Sequence, residues 1–234
     1  RDVLGSRGLG DVYKRQGFVM NSKTKKIVII AMLCAIAYAV MVVGRVPVVL
    51  FLKYDPKDVI ITIGGFLFGP LTAFLVSVVV SLVEMVSVSD TGIIGCIMNI
   101  LSTCAFACTA AYIYKKKHTL SGAVIGLAAG CVLMTIVMLL WNYLFTPIYL
   151  GYPREAVAEM LLPVFLPFNL LKGGLNMAIT LLIYKPIVTG LRKAGLIELS
   201  DQKAEKGKRT GIILISLFLL ATCIFFVLVL KGIV

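Results

Sequence analysis

A lysine in the middle of an apolar stretch is the residue of this sequence with the clearest chemical consequence. Lys172 lies midway along residues 160–184, which are otherwise free of charge. An ammonium group inside a membrane costs several kcal/mol, so its side chain should face a polar cavity or a partner. Asn169 and Asn176 lie three residues before it and four after it, which places all three side chains on one helical face. The alternative is that the lysine side chain extends to the membrane surface.

Further polar and aromatic residues could complete a pocket around this face. Tyr54 and Asp55 lie between two apolar stretches, and Asn142 and Tyr143 lie towards the end of another. Flat apolar walls with a few fixed donors and acceptors are typical of a site for an aromatic, heterocyclic small molecule. Carboxylate or phosphate ligands favour more arginines than are present here. We therefore expect an outward-facing pocket for a molecule of this kind.

Catalytic and metal chemistry find little support in the sequence. His118 is the only histidine and follows a run of three lysines, so a histidine-based catalytic site is not expected. Cys104 and Cys108 share a helical face, but no histidine or carboxylate lies near them to complete a metal site. The sequence has no GxxxxGK[ST] motif, so the energy for uphill transport would have to come from another protein. We expect no enzymatic activity, no metal and no cofactor.

The composition defines the elements that must position these residues. Of the 234 residues, 60% are apolar and 15% are charged, with a mean hydropathy of +1.02. A soluble domain has roughly 45–50% apolar and about 25% charged residues. The sequence therefore predicts an all-α, polytopic integral membrane bundle. Because a span needs about 20 apolar residues, and Gly69-Pro70 breaks the second apolar region, seven spans are expected in six regions. These regions are 27–44, 59–83, 91–114, 119–153, 160–184 and 211–230, with the end of the fourth region, from Trp141 onward, expected as a loop.

Two stripes of small residues recur at a spacing of four. Ala31, Ala35 and Ala39 form the first, and Gly122, Gly126 and Gly130 form the second. Such stripes let a second helix approach closely inside a membrane. Packing within the bundle and docking of a partner are both open for each stripe.

The distribution of the basic residues predicts the orientation. The net charge is +12, from 23 Lys and Arg against 11 Asp and Glu. With the amino terminus inside, 17 of the 23 fall in inner segments, as the positive-inside rule requires. Lys172 is then expected to be the single charge inside the apolar part. Nucleic-acid binding is not expected, because no basic stripe is interleaved with exposed aromatics, whereas contact with membrane lipid is.

Changes in composition divide the chain into four segments. Residues 1–19 are glycine-rich and charged, and we expect a non-native or disordered tail before Met20. Residues 20–196 hold the six-helix substrate-binding part, and 197–210 are expected to form a cytoplasmic linker. Residues 211–234 hold an additional membrane-spanning helix.

Several short segments resemble the riboflavin-specific substrate-binding subunits, or S components, of energy-coupling factor (ECF) transporters. The resemblance covers about residues 20–196. The segments that carry it are 52–59 (LKYDPKDV), Phe68-Gly69-Pro70, Gly95 with Asn99, Asn142-Tyr143, and above all 166–173 (LPFNLLKG). The alanine stripe is similar to the motif by which such subunits dock onto the coupling subunit.

This resemblance implies a six-helix bundle in a bacterial cell membrane that binds riboflavin from outside and does no catalysis. It implies transport together with a transmembrane coupling subunit and two cytosolic ATPase subunits. The substrate-binding residues that it implies are Tyr54, Asp55, Asn99, Asn142, Asn169 and Lys172. The additional helix at 211–230 departs from the six-helix pattern.

Three other interpretations remain open from the sequence. The ligand could be another vitamin or a flavin nucleotide, although a phosphate would be expected to recruit more than one cation to the pocket. An intramembrane enzyme would need more paired polar groups than the face around Lys172 provides. A structural or sensory bundle without a ligand would leave Lys172 unexplained.

Overall fold

The structure, a computed structural model, describes residues 22–49, 52–89, 91–193 and 206–230, and it is a bundle of helices with one small hairpin. The predicted all-α membrane bundle is confirmed, with six helices in the described residues that are long and apolar enough to cross a membrane. The helices are α1 (Ser22–Gly44), α2 (Lys57–Phe68), α3 (Pro70–Ser87), α4 (Gly92–Lys117), α5 (Leu120–Leu150), α6 (Arg154–Lys193) and α7 (Lys206–Leu230). The expected tail at 1–19, and residues 197–205 of the expected linker, lie outside the described residues.

The predicted break at Gly69-Pro70 separates a short helix from a spanning one. Gly69 has a φ of +94°, a conformation that glycine adopts without steric cost, and Pro70 occupies the first turn of α3. α2 has 12 residues, so it is about 18 Å long and cannot cross a hydrocarbon core of about 30 Å. Ten of its residues, 57–66, are buried. The expectation of seven spans is therefore wrong for α2, which is an internal element with its first turn inside the bundle.

Two of the spanning helices contain π-helical turns. In α4 the turn covers Cys104–Cys108, and in α6 it covers Leu161–Phe165 and contains Pro163. Such turns are common near functional sites. The expectation of a loop from Trp141 onward is wrong, because α5 continues to Leu150. Pro147 removes one backbone donor within that helix without ending it.

A two-stranded hairpin joins α1 to α2 and was not predicted. Strand β1 (Val46–Val49) pairs antiparallel with β2 (Leu52–Tyr54), with Val46 opposite Tyr54. The side chains of Val48 and Tyr54 are buried, whereas Lys53 is exposed. The hairpin therefore places Tyr54 and the following Asp55 against one end of the bundle.

The glycine stripe packs within the bundle. A methyl group added at Gly130 would lie 2.5 Å from the carbonyl oxygen of Phe106, and one at Gly126 would lie 2.8 Å from that of Ala110. The backbones of α4 and α5 are therefore in direct contact, as small residues permit in lipid. For Gly126 and Gly130, internal packing is the correct alternative.

The end of the bundle away from the hairpin is closed by aromatic side chains. Phe66, near the end of α2, lies 4.5 Å from the ring of Tyr114 on α4, measured between ring centroids. The hydroxyl groups of Tyr114 and Tyr184 are 2.8 Å apart, which joins α4 to α6. Aromatic contacts of this geometry add to the stability that burial provides.

The additional helix α7 packs against α6 and the hairpin. Its Cys223 belongs to a buried apolar cluster that also contains Val48 and Tyr54 of the hairpin. The cluster is completed on α6 by Phe168, Leu171 and Leu175. Within the most apolar 18-residue window, only 11% of α7 is buried against 56% of α6. α7 is therefore a peripheral helix that covers one side of the hairpin.

Replacing Gly130 by Ala should destabilise the protein. The new methyl group would collide with the Phe106 carbonyl oxygen, so α4 and α5 would have to separate, at a cost of about 1–3 kcal/mol. The matched control is Gly190→Ala on α6, where an added methyl group meets no atom within 4 Å. A lower midpoint of thermal unfolding in detergent for G130A, but not for G190A, is expected. Equal midpoints for the two variants would contradict the close approach.

Candidate substrate-binding site

A network of ion pairs lies beneath the hairpin. The guanidinium Nε of Arg45 lies 2.7 Å from Oδ1 of Asp55, and its Nη2 pairs with Oε1 of Glu84. The other oxygen of Glu84 pairs with Nζ of Lys57, whose side chain is 0% exposed. The amide of Asn99 also donates to Glu84, at 3.0 Å. This half of the network joins the end of α1 to α2, α3 and α4.

The second half of the network is centred on Asp58. Its Oδ2 lies 3.3 Å from Nζ of Lys172 and 3.3 Å from the amide nitrogen of Asn176. The hydroxyl of Thr103 donates to Oδ1 at 2.7 Å. Lys172 also donates to the hydroxyl of Ser102, at 3.2 Å. Two polar side chains from α4 and two from α6 thus interact with the Asp58 carboxylate of α2 or with its partner Lys172.

The start of α2 explains why two adjacent charges can be buried. Pro56 is the residue before the helix, and Lys57 and Asp58 form its first turn. A carboxylate in the first turn interacts favourably with the positive end of the helix dipole. Since α2 is internal, this turn brings both charges into the bundle, where each needs an opposite charge to offset its desolvation. The partners on α3 and α6 satisfy that requirement.

Arg45 and Tyr54, in the connection between α1 and α2, keep their ordinary protonation states. Burial lowers the pKa of the Arg45 guanidinium, but hydrogen bonds and charges from Asp55 and Glu84 more than offset this and raise it. Burial, together with the charges of Asp58 and Asp55, raises the pKa of the Tyr54 hydroxyl well above its usual range. Arg45 is therefore cationic at neutral pH. Tyr54 is a neutral phenol that donates to the Asn176 carbonyl oxygen at 2.9 Å.

The structure links four of the six residues predicted as a substrate site to this network. Lys172 is 7% exposed and points inward, so it does not extend to the membrane surface. Tyr54 reaches Asp58 through Asn176, Asp55 pairs with Arg45, and Asn99 bonds to Glu84.

The remaining two predicted residues are buried but hydrogen-bond within their own helices. The amide of Asn142 donates to the carbonyl oxygen of Met138, and its oxygen accepts from Thr146. The amide of Asn169 donates to the carbonyl oxygen of Phe165, in the π-helical turn of α6. Both asparagines are 2% exposed, so polar groups of α5 and α6 face the interior at these positions.

The expectation that Lys172 is the single charge inside the apolar part is wrong. Lys57 and Asp58 are 0% exposed and Glu84 is buried as well. Each lies at the border of the apolar stretch 59–83, a position that favours a location at the membrane edge. The length of α2 could have indicated that these charges are buried, because a helix too short to span the membrane places one of its ends within it.

Two hollows in the described residues lie apart from this network. One is a groove of about 500 Å³ along the outer side of α5, lined by residues such as Ile125, Val132 and Ile136. The other, of about 150 Å³, lies between α1 and α3 and is lined by Ala35, Tyr38 and Val83 among others. Neither hollow is lined by Lys172, whose ammonium lies instead against Asp58 and Ser102.

Comparison with known proteins identifies the family. The family model described as "ECF transporter, substrate-specific component" matches residues 25–184. The chain therefore belongs to the substrate-specific components of ECF transporters, and it is a subunit of a membrane transporter. The match ends before α7 begins at Lys206.

Relatives cover most of the chain at modest identity. The riboflavin transporter FmnP of Bacillus subtilis is 28% identical over 188 residues, which are 74% of this chain and 98% of that protein. The riboflavin transporter RibU of Streptococcus thermophilus is 27% identical over 76% of this chain and 89% of its own length. A solved S component of a bacterial ECF transporter superposes with a TM-score of 0.62 at 28% identity, over 72% of this chain and 98% of that one.

Replacing Glu84 by Gln should strongly destabilise the fold. The substitution leaves Lys57 buried without its carboxylate, which typically costs about 3–5 kcal/mol. Glu159→Gln is the matched control, because Glu159 is an exposed carboxylate on α6. We expect a lower thermal unfolding midpoint for E84Q and an unchanged one for E159Q. A wild-type midpoint for E84Q would show that the network does not hold the helices together.

Proposed function

We propose that the chain is the riboflavin-binding subunit of an ECF-type vitamin transporter. In this proposal it binds riboflavin from outside the cell and releases it inside together with a coupling module. The observation that carries the proposal is the buried Lys172, held by Asp58 and Ser102 in a protein of the substrate-specific family. The identity of the ligand is proposed from relatives that are named riboflavin transporters.

The geometry of the site supports a ligand of this kind. Tyr54, Asn176 and Lys172 present donors and acceptors in one connected group, next to the apolar side chains Phe168 and Leu171. An apolar surround with a few fixed polar groups suits a flat heterocycle with a polar edge. Asn142 and Asn169 are the remaining proposed contacts, and Tyr54 and Asp55 on the connection to α2 are proposed to cap the ligand. The protein then acts by binding, without enzymatic activity or a cofactor of its own.

The proposed partners are a transmembrane coupling subunit and two cytosolic ATPase subunits. Ala31, Ala35 and Ala39 are all exposed on α1, whereas Leu33 and Ala37 of the same helix are buried in the core. The hollow between α1 and α3 adjoins Ala35. A partner helix could therefore approach closely along this stripe. The proposed orientation, with the amino terminus in the cytoplasm of a bacterium, places the hairpin on the outer side.

Titration with riboflavin tests the proposal directly. The protein purified in detergent should quench the fluorescence of added riboflavin, or should already contain flavin that is visible by its absorbance. Lys172→Ala should weaken binding at least tenfold, because a hydrogen bond to a charged group is worth about 1.5–3 kcal/mol.

The control for this titration is Lys116→Ala, which removes an exposed lysine on α4. Its affinity should equal that of the wild type. A colourless wild-type preparation that does not bind riboflavin would refute the proposed function, and wild-type affinity in K172A would remove Lys172 from the site.

Replacing Ala35 by Leu should separate docking from binding. The larger side chain would block close approach to the exposed stripe, so uptake of riboflavin by cells that contain the coupling module should be lost. Binding of riboflavin to the purified variant should remain. Ile36→Leu, a change of shape at a neighbouring exposed position, is the control and should retain both properties. Loss of binding in A35L would assign the stripe to the fold of this subunit instead.

A further inference from the structure

The additional helix α7 contacts the rest of the protein along one narrow stripe. It begins at Lys206, beyond the segment 25–184 that the family model describes. The residues of the stripe recur every three or four positions, as one face of a helix does. They are the buried Ser216 and Cys223 and the half-buried Leu219, Leu220 and Val227. The opposite face of α7 is exposed, for example at Leu217 and Val229.

The hairpin that this stripe contacts cannot be stable by itself. Its strands have only four and three residues, and an isolated two-stranded hairpin is marginally stable at best. Two polar contacts fasten its second strand and the residue that follows. The hydroxyl of Tyr54 donates to Asn176 on α6, and Asp55 pairs with Arg45. The apolar side chains of the hairpin need partners of their own.

Those apolar partners come from two helices. The cluster around Val48 and Tyr54 is made of side chains from the hairpin, α6 and α7 among the described residues. α6 contributes Phe168, Leu171, Leu175 and Ile179, and α7 contributes Leu219, Leu220, Cys223 and Val227. Without α7, this cluster would therefore consist of the hairpin and α6 alone.

α7 approaches α6 at the level of the buried network. A methyl group added at Gly174 would lie 3.1 Å from Sγ of Cys223 and 3.9 Å from a methyl carbon of Leu219. A methyl group added at Gly173 would lie only 2.2 Å from Sγ of Cys131 on α5. The two glycines directly follow Lys172, so α6 is narrow at this point, and α5 and α7 both pack closely there.

We propose that α7 is a strap that holds the hairpin against α6, so that the hairpin opens less often than its packing on α6 alone would allow. Apolar surface gains little by leaving lipid, so the strength of the strap comes from the close packing of the stripe. The consequence for ligand exchange rests on the proposed function. If riboflavin reaches the buried network past the hairpin, the strap slows both its entry and its release.

Hydrogen exchange tests the strap without any ligand. The double variant Leu220→Ala and Val227→Ala removes two side chains of the stripe and leaves α7 apolar. The matched control, Leu217→Ala with Val229→Ala, makes the same two changes on the exposed face. Because paired amides exchange only when the hairpin opens, and lost packing is not replaced, exchange in β1 and β2 should be at least about threefold faster in L220A/V227A. It should be unchanged in L217A/V229A.

The measurement is mass spectrometry of peptides that contain β1 and β2, from the full-length protein in detergent. The buried helix α2 is the internal reference, and its exchange should be the same in all the proteins. Equal hairpin exchange in the two double variants, or a rise that extends to α2, would overturn the strap. If L220A/V227A does not fold, the single variants L220A and V227A, compared with L217A and V229A, decide the question in the same way.

Release of riboflavin tests the consequence for the ligand. The dissociation rate, followed by the recovery of flavin fluorescence after dilution, should rise at least about threefold in L220A/V227A and stay unchanged in L217A/V229A. Faster hairpin exchange with an unchanged dissociation rate would show that the strap does not control release. A wild type that binds no riboflavin would refute the proposed function, and the hydrogen-exchange comparison would still decide whether α7 restrains the hairpin.

Discussion

The structure depends on compensation of charge inside an apolar bundle. A buried ion is stable in such an environment only if an opposite charge and further hydrogen bonds replace its lost hydration. Glu84 meets this requirement for both Lys57 and Arg45, and Asp58 meets it for Lys172. Each pair joins different helices, so the arrangement of charges also fixes how α1, α2, α3 and α6 meet. The requirement is strictest for Lys57 and Asp58, which have no contact with solvent.

The same compensation bears on the proposed function. In the proposed binding site the ion pairs are balanced, so hydrogen-bond geometry and the shape of the apolar surround would select the ligand. Tyr54 contributes to both, because its hydroxyl donates to Asn176 while its ring lies in the apolar cluster with Phe168 and Cys223. The hairpin is therefore held by a polar contact beneath it and by apolar contacts with α6 and α7. Opening of the site would have to break both kinds of contact.

The sequence predicted the parts of this arrangement that depend on local pattern. Lys172 was identifiable because a charge in the middle of an apolar span has few explanations, and the break at Gly69-Pro70 followed from backbone chemistry. Lys57, Asp58 and Glu84 were missed because their depth depends on where α2 sits, and a neighbouring stretch of sequence does not contain that information. The hairpin was missed because its strands of four and three residues are too short to show an alternating pattern. Their pairing also depends on the helices beneath them.

The two stripes of small residues also show what a local sequence pattern cannot predict. Both have a spacing of four, yet Gly126 and Gly130 contact the backbone of α4, while Ala31, Ala35 and Ala39 are exposed. The spacing indicates that a second helix can approach closely, but it does not indicate which helix does so. That depends on which face of the helix already packs in the core. On α1 the opposite face, with Leu33 and Ala37, already packs in the core, which leaves the alanines outside. α1 ends at Gly44, directly before Arg45, so one continuous helix carries the exposed stripe and leads into the ion pairs of the site. A partner docked along the stripe would thus contact the same helix of 23 residues whose end adjoins the ion pairs.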